Sequence, residues 1–324
     1  MTLSSEGRRH IVALALFAGA LAARRFSGYA GADLLGEIAV WAIFAMSLDL
    51  IAGYAGLVSL GHALFFGLGA YAMASLTLFL KWPPAMALPM AVIAAGVAGF
   101  LVGAVVVRLR GVFFIMITLA FGQMGWAYFL SSRSFGGFGG MSGVSQLDLS
   151  ALGLTFANPK DFALFAVVVA GIVYVALARV VASPFGHMLV ALHQNESRAR
   201  ALGLPVTRYK LAAFTLAAAL AGLAGTLQTQ RTGFVSPELL VWTSSGEVLI
   251  MVIVGGLGSL VGPVGGAAVW VVLRHYLSEQ TPYWMLVMGL FFVAVVLFAG
   301  DGLMGVVGRA TTRRRLAAEI ADDV

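Results

Sequence analysis

The sequence predicts an all-α polytopic membrane protein with about ten transmembrane helices in two related halves. Of its 324 residues, 60% are hydrophobic and only 10% are charged, whereas soluble domains carry roughly 25% charged residues. Long apolar runs recur along the chain, and basic residues flank them. A glycine-rich sequence in the first third of the chain returns 200 residues later. Together these features predict membrane spans built around an internal repeat.

The composition also excludes several classes of protein. The chain has no cysteine, which rules out disulfide scaffolds, thiol catalysis and cysteine-ligated metals. Its net charge of +6 comes from basic residues beside apolar runs, so the expected partner is the lipid bilayer and not a nucleic acid. The apolar content excludes a disordered chain and an ordinary cytosolic enzyme.

The lengths of the apolar runs predict the number of spans. A bilayer span needs about 20 predominantly apolar residues. The segment 236–278 is long enough for two spans, divided at the Gly/Pro-rich stretch 255–263. The shorter run 11–23 is interpreted as a first span or a surface helix, which brings the predicted total to about ten helices. The other predicted spans are 34–52, 60–80, 84–107, 112–130, 161–181, 210–230 and 283–304.

The basic residues predict the orientation of the chain. A cytoplasmic N-terminus places the larger share of the 20 Lys and Arg residues inside, in agreement with the positive-inside rule. Both termini, the loop 183–209 and the C-terminal tail 306–324 are then cytoplasmic. The longest external loop is 131–160, and its glycine-rich run 136–140 is predicted to be a flexible loop or a re-entrant turn.

An internal repeat predicts two related halves. The sequence GLVSL (56–60) corresponds to GLGSL (256–260), and each follows one apolar run and leads into another. The predicted halves are about 11–110 and 210–310. Transporters are often built from such halves, and glycine-interrupted spans at corresponding positions indicate the translocation path. Two alternatives remain: a helix-packing seam of small residues, or a chance match.

The sequence shows no nucleotide-binding or catalytic motif. It lacks the Gly-x-x-x-x-Gly-Lys-Ser/Thr loop that cradles phosphate. No metal site is predicted, because the histidines are scattered and do not follow the spacing of paired helical ligands. We therefore expect a transport protein and not an enzyme. An ion-coupled secondary transporter and an intramembrane enzyme are alternatives, and they would need ion-coupling groups or a clustered catalytic pair.

The loop 183–209 is polar and compatible with a helix. Leucines alternate with charged residues and predict a short amphipathic helix over 192–204, which Gly203 and Pro205 end. The residues alone leave two interpretations open. The loop is either a docking element for a partner that supplies energy, or a solvated loop held by anionic lipid through its arginines.

Polar and glycine residues within or beside the spans are the candidate translocation path. Broken backbone is tolerated in a membrane only where it is buried in protein or faces a cavity, and intramembrane acids face the protein interior or water. The favoured alternative for the acids is a structural hydrogen bond between helices, and for the histidine it is packing or helix capping. The path candidates are Asp49, Tyr54, Gly56, Ser59, His62, Glu247, Gly256 and Ser259.

Four collinear motifs carry a resemblance to a known family. They are GYAGLVSLGHALFFGLGAYAMA (53–74), FFIMITLAFGQ (113–123), ALHQNESRARALGLPVTRYKLAAFTLAAALAGLAGTL (191–227) and IVGGLGSLVGPVGGA (253–267). The chain resembles the permease subunits of branched-chain amino-acid ABC importers, the LivM type in particular. The resemblance implies one transmembrane domain over 1–324, with a type II ABC importer-like fold. It also implies that the domain translocates leucine, isoleucine and valine across the cell inner membrane.

The resemblance also implies partners. These are a LivH-like second permease subunit, two ATPase subunits that bind ATP and magnesium, and a periplasmic or lipid-anchored substrate-binding protein. No cofactor is expected in this chain. Related permeases serve urea, short amides or sugars, which are the alternative substrates. By the same resemblance the loop 183–209 enters a groove on the ATPase, and its coupling residues are Glu196, Ala199, Ala201, Gly203 and Pro205.

Overall fold

α-Helices make up most of the chain in the computed structural model. The structure describes residues 28–149, 154–156 and 158–298, together with positions 19 and 302. The helices are α1 Tyr29–Asp49, α2 Ala63–Leu78, α3 Pro84–Val106, α4 Val112–Ser131, α5 Pro159–Ala182, α6 Pro184–Gln194, α7 Glu196–Ala201, α8 Val206–Thr232, α9 Trp242–Gly255, α10 Val261–Gln280 and α11 Trp284–Phe298.

These helices confirm a polytopic membrane protein. Five helical segments of the described chain are long and apolar enough to cross a bilayer. Helices α2 and α9 are apolar but shorter. The total of about ten spans stays a prediction. The five segments are Tyr29–Tyr54, Pro84–Val106, Val112–Ser131, Pro159–Ala182 and Val206–Thr232.

Some predictions lie outside the described residues. They concern the run 11–23, the C-terminal tail 306–324 and the outer limits of the two repeat halves.

Helix α1 lies at the centre of the helix bundle. It packs against α5, α8, α9 and α10. Of the most apolar 18-residue stretch within Tyr29–Tyr54, 83% is buried inside the protein. The corresponding share for α4 is 22%, so α4 turns most of its apolar surface outward. A helix that is apolar all round is suited either to a protein core or to lipid. Tertiary packing assigns α1 to the core and α4 to the periphery.

Small residues allow the helices around α1 to approach closely. A side chain at Gly69 of α2 would run into the backbone of Gly222 in α8. One turn further along α8, a side chain at Gly225 would meet the carbonyl of Phe66. Close backbone contact through small residues is the usual way in which membrane helices associate.

Two pairs of successive apolar helices are joined by short irregular segments. Helix α1 continues into a π-helical turn, Leu50–Tyr54, and the chain then runs without regular helix until α2 begins at Ala63. In the second pair, α9 ends at Gly255 and α10 begins at Val261. The predicted division within 255–263 is therefore confirmed. We refer to residues 50–62 as the first break and to residues 256–260 as the second break.

The segment 131–160, predicted to be the longest external loop, contains short regular elements among its described residues. Strand β1 (Met141–Ser142) pairs antiparallel with β4 (Phe234–Val235), and β2 (Asp148–Leu149) pairs with β3 (Leu154–Thr155). The glycine-rich run 136–140 contains one 3-10 turn, Gly137–Gly139, and directly follows another, Arg133–Phe135. Gly136 and Gly140 take positive φ angles of 78° and 68°, a conformation that glycine adopts without steric cost.

The loop 183–209, which we call the cytoplasmic loop after the side of the membrane predicted for it, contains two helices, and the prediction of one helix over 192–204 is wrong. Asn195 interrupts it with an extended backbone, φ −159° and ψ 93°. Its side-chain oxygen accepts a hydrogen bond from the Arg198 N–H at 2.9 Å and so caps α7. Helix α7 ends at Ala201, and Gly203 follows in the left-handed region at φ +78°. The helix is therefore divided because Asn195 caps α7 instead of continuing α6.

Candidate translocation and coupling site

Asp49 joins the two breaks. It lies at the end of α1 and is completely buried. One carboxylate oxygen accepts the Gly258 N–H at 2.7 Å, and the other accepts the Leu260 N–H at 3.1 Å. These donors precede α10 and would otherwise have no helical partner. The geometry therefore fits the structural alternative for Asp49, in which an intramembrane acid forms hydrogen bonds between helices.

Ser245 makes a second contact of this kind in the opposite direction. It lies on α9, and its hydroxyl oxygen accepts the Ala63 N–H at 2.8 Å. Ala63 is the first residue of α2, directly after the first break. The helix before the first break thus accepts hydrogen bonds from the second break, and the helix before the second break accepts one from the residue that follows the first break. Sequence analysis missed Ser245, whose only signal is a hydroxyl within an apolar helix.

The two repeat serines close their own turns. The Ser59 hydroxyl oxygen accepts the Gly61 N–H at 3.3 Å. The Ser259 hydroxyl donates to the Gly256 carbonyl at 2.7 Å and accepts the Gly262 N–H at 3.0 Å. Both side chains satisfy backbone groups that the breaks leave without helical partners.

His62 is a packing residue in this structure. It is completely buried, and its Nε2 lies 2.9 Å from the hydroxyl of Ser47. Its ring stacks on Phe44, with ring centres 5.5 Å apart and planes inclined by 5°. His62 occupies the N-cap position of α2 but makes no side-chain capping hydrogen bond. Packing, one of the two structural roles predicted for it, is the one observed.

Glycines let the two breaks touch. A side chain at Gly53 would collide with Asp49 and with the backbone of Gly258, whose Cα would lie 2.8 Å from the added carbon. Gly256 combines φ +109° with ψ 110°, which side-chain-bearing residues rarely adopt. The glycine content of the repeat therefore reflects both close approach and backbone conformation.

The remaining path candidates, Gly56, Tyr54 and Glu247, do not take part in the hydrogen bonds between Asp49 and the second break. Gly56, at φ +68°, is exposed and faces the ring of His193 in the cytoplasmic loop. Tyr54 is partly buried in the π-helical turn. Glu247 is partly buried on α9, and within the described chain no hydrogen bond or ion pair engages its carboxylate. The structure thus brings together Asp49 and the second break, and leaves Glu247 apart.

Glu196 anchors the cytoplasmic loop to the helix bundle. Its carboxylate pairs with Lys210 at 2.8 Å, with Arg200 at 2.8 Å and with Arg110 at 3.2 Å. Burial by itself would raise the pKa of Glu196. The hydrogen bonds from Lys210 and Arg200 and the nearby positive charges outweigh burial and hold that pKa below its ordinary value.

The other predicted coupling residues divide into two groups. Ala199 is buried against Leu192 and Val206, so its side chain packs within this chain and is not available to a partner. This corrects the expectation that Ala199 lies on a docking surface. Outward-facing positions follow directly after it, and they include Leu202, whose exposed fraction is 72%. The exposed positions are Ala201, Leu202, Gly203 and Pro205.

A second ion-pair cluster lies at the other end of the bundle. Arg231 of α8 pairs with Glu37 of α1 at 3.0 Å and with Asp33 at 3.4 Å. Arg274 of α10 also pairs with Glu37 and lies over the ring of Trp41. Among the described residues, no group of three potential metal ligands occurs.

Comparison with known proteins gives one family and several relatives. A high-affinity branched-chain amino acid transport system permease protein, LivM, of Salmonella typhimurium is 34% identical over 296 residues, 84% of this chain and 69% of the relative. LivM of Escherichia coli is 34% identical over 289 residues, 82% of this chain and 68% of the relative. A probable LivM of Methanocaldococcus jannaschii is 24% identical over 286 residues, 76% of this chain and 82% of the relative.

No solved structure gives a significant match to the chain. The family described as branched-chain amino acid transport system / permease component matches residues 32–296, which include both breaks and the cytoplasmic loop. The family match and the similarity to LivM together cover most of the sequence. The chain therefore belongs to the branched-chain amino acid transport permease family.

Proposed function

We propose that the chain is a membrane-spanning permease subunit of an ABC importer that carries leucine, isoleucine and valine across the cell inner membrane. The observation that carries this proposal is the 34% identity, over 84% of the chain, to a permease named for high-affinity transport of these amino acids. The interrupted membrane helices support it, since such interruptions line or gate transport paths. Urea, short amides and sugars are the alternative substrates.

The two halves of the proposed permease meet at the breaks. The reciprocal caps, from Asp49 to the second break and from Ser245 to the residue after the first, support a pair of related halves. In this proposal the domain has about ten spans. Residues of the two breaks border the translocation path, and Glu247 remains a candidate path residue on α9.

The exposed positions 201–205 are proposed to meet the ATPase. Glu196 holds this segment against the bundle through Lys210 and Arg110, and Ala199 packs beneath it. An exposed leucine at a turn, Leu202, is a side chain that a groove on a partner would bury. The energy for transport then comes from hydrolysis of ATP, which binds with magnesium to the partner and not to this chain.

The proposed assembly contains this chain, a second LivH-like permease, two ATPase subunits and a periplasmic or lipid-anchored binding protein. Both termini and the loop 183–209 face the cytoplasm. Two ion-pair clusters mark the two ends of the bundle in this orientation. Arg110, Glu196 and Lys210 meet at the end proposed to face the cytoplasm, and Glu37, Arg231 and Arg274 meet at the opposite end.

Uptake in proteoliposomes tests the function. We expect the complete importer, with its binding protein, to accumulate labelled leucine only when ATP is supplied to the ATPase side. Excess isoleucine and valine should compete, whereas urea and acetamide should not. Leucine uptake driven by an ion gradient without ATP would contradict the ABC mechanism, and competition by urea would contradict the substrate.

The cysteine-free sequence allows a direct test of orientation. Leu202→Cys and Phe138→Cys introduce thiols at positions with exposed fractions of 72% and 86% at opposite ends of the bundle. In intact cells, a membrane-impermeant maleimide should label only Phe138→Cys. In inside-out vesicles from cells that lack the ATPase subunits, it should label only Leu202→Cys. The reverse pattern would invert the proposed topology.

A further inference from the structure

His193 connects the cytoplasmic loop to the first break. It lies near the end of α6, and its Nδ1 is 3.0 Å from the carbonyl oxygen of Gly53, 140 residues earlier in the chain. A carbonyl only accepts, so Nδ1 carries the proton of this hydrogen bond. The ring also covers Gly56, where an added side-chain carbon would lie 2.7 Å from the His193 Cδ2.

The Gly53 carbonyl is free to accept this bond because the helix ends there. Gly53 lies in the π-helical turn Leu50–Tyr54, and the last carbonyls of a helix have no partner within it. The imidazole N–H therefore acts as a C-terminal cap supplied by another part of the chain. Helix α6 packs on this π-helical turn.

The same glycine also touches the second break. A side chain at Gly53 would collide with Gly258, and Asp49 accepts hydrogen bonds from Gly258 and Leu260. Gly53 is thus contacted by the cytoplasmic loop through its carbonyl and by the second break through its Cα. His193, Gly53, Asp49 and Gly258 form a continuous series of contacts from the loop to both breaks.

We propose that His193 is a positioning residue that transmits movement of the cytoplasmic loop to the paired breaks. The proposal rests on the proposed function, in which an ATPase moves the loop. Transmission requires a contact that favours one arrangement of the breaks over another. The loop is held at two points: Glu196 fixes it to Lys210 and Arg110, and His193 fixes it to the Gly53 backbone.

A second histidine on the same helix provides a matched control. The Nδ1 of His187 hydrogen-bonds to the Ser183 carbonyl at 2.9 Å, within the first turn of α6. This contact reaches neither break. Replacing His187 by alanine removes the same side chain from the same helix without touching Gly53.

The experiment measures leucine uptake and ATP hydrolysis in one preparation of the complete importer in proteoliposomes. For His193→Ala we expect unchanged recovery of ATPase subunits and about fivefold less leucine carried per ATP, the change expected for one lost neutral hydrogen bond. His193→Asn places an amide N–H where Nδ1 lies and should restore most of the ratio. His187→Ala should keep the wild-type ratio.

A double-mutant cycle adds an independent measurement. Gly56→Ala should lower the uptake-to-hydrolysis ratio, because its methyl group displaces the His193 ring. In a His193→Ala background the same change should have a smaller effect, since the ring is gone. Additive effects would contradict contact between the two residues in the working complex.

Three results would overturn the proposal. A wild-type ratio in His193→Ala would show that the contact transmits nothing. Loss of ATPase subunits from His193→Ala alone would make His193 a docking residue. A wild-type importer that shows no ATP-dependent leucine uptake would contradict the proposed function and, with it, any coupling role for His193. The wild-type measurement therefore separates failure of the function from failure of the His193 proposal.

Discussion

The two breaks begin from similar sequences but are held differently. The second break is short and is closed by Ser259, which bonds to Gly256 and Gly262 within its own turn. The first break is longer, begins with a π-helical turn and depends on His193 and Ser245 from distant parts of the chain. The first break also contacts the cytoplasmic loop, through the hydrogen bond between His193 and Gly53. Repeated sequence thus does not produce equivalent connections, because each copy meets different neighbours.

Loss of the Asp49 carboxylate should have the largest effect on the contact between α1 and the second break. Asp49→Ala leaves the buried N–H groups of Gly258 and Leu260 without acceptors, at about 1–3 kcal/mol each. We expect thermal unfolding in detergent at a clearly lower temperature and near-complete loss of uptake. Asp49→Asn keeps one acceptor oxygen and should be intermediate.

Asp33→Ala is the control for Asp49→Ala. Asp33 is half exposed and pairs with Arg231 at 3.4 Å, far from the breaks, so its loss should change stability little. Wild-type stability in Asp49→Ala would show that the carboxylate does not hold the breaks together.

Alanine at Gly256 and at Gly56 should give the next largest effects, and the two effects should differ in size. Gly256→Ala should cost about 1–3 kcal/mol, because φ +109° with ψ 110° lies outside the regions that alanine adopts. Gly56→Ala should cost about 1–2 kcal/mol, since φ +68° is the milder left-handed conformation. Comparison of their unfolding temperatures tests this order.

Gly246→Ala is the control for both glycine variants. Gly246 lies inside α9, and an added side chain there would meet no atom within 4 Å. Alanine at this position should be neutral or stabilising by about 0.5–1 kcal/mol. Equal destabilisation by all three substitutions would refute the conformational explanation.

The reciprocal cap gives a smaller effect. Ser245→Ala removes the acceptor of the Ala63 N–H and should cost about 1 kcal/mol, as loss of a helix N-cap does. Ser244→Ala, on the same helix, loses only a 3.4 Å contact to the Glu238 carbonyl and should be nearly neutral. Equal unfolding temperatures for the two variants would argue that the hydrogen bond from Ala63 to Ser245 does not stabilise the start of α2.

Glu196 gives the smallest expected effect and a defined pH dependence. Because its pKa is lowered in the folded protein, its ion pairs stabilise the fold above the ordinary carboxyl pKa of 4.5, and that stability is lost as pH falls through the lowered value. Glu196→Gln should be less stable than wild type by at most about 1 kcal/mol at pH 7.

The difference should disappear in acid. Unfolding temperatures of wild type and Glu196→Gln should converge below the lowered pKa of Glu196. Glu279→Gln, at a position whose side chain is 65% exposed, is the control and should match wild type throughout. A gap between wild type and Glu196→Gln that persists in acid would mean that charge is not the source of the anchoring.

Sequence alone predicted several membrane-spanning helices of the described chain and the position of the second break. Apolar run length predicted α3 and α4 to within one residue at each end, and the Gly/Pro-rich stretch 255–263 predicted the second break. These features depend on local chemistry: the number of apolar residues that span a bilayer, and the conformations that glycine permits. The division of the loop at Asn195 was missed, although asparagine is a common helix cap.

Only the tertiary structure decided which residues meet. Asp49 with Gly258, Ser245 with Ala63 and His193 with Gly53 are each more than 130 residues apart in sequence. In each pair one partner is a backbone group, which leaves no mark on residue type, and glycine spacing does not indicate the side chain that will approach it. The order and packing of the helices place these donors and acceptors together, so these contacts appear only when the chain is folded.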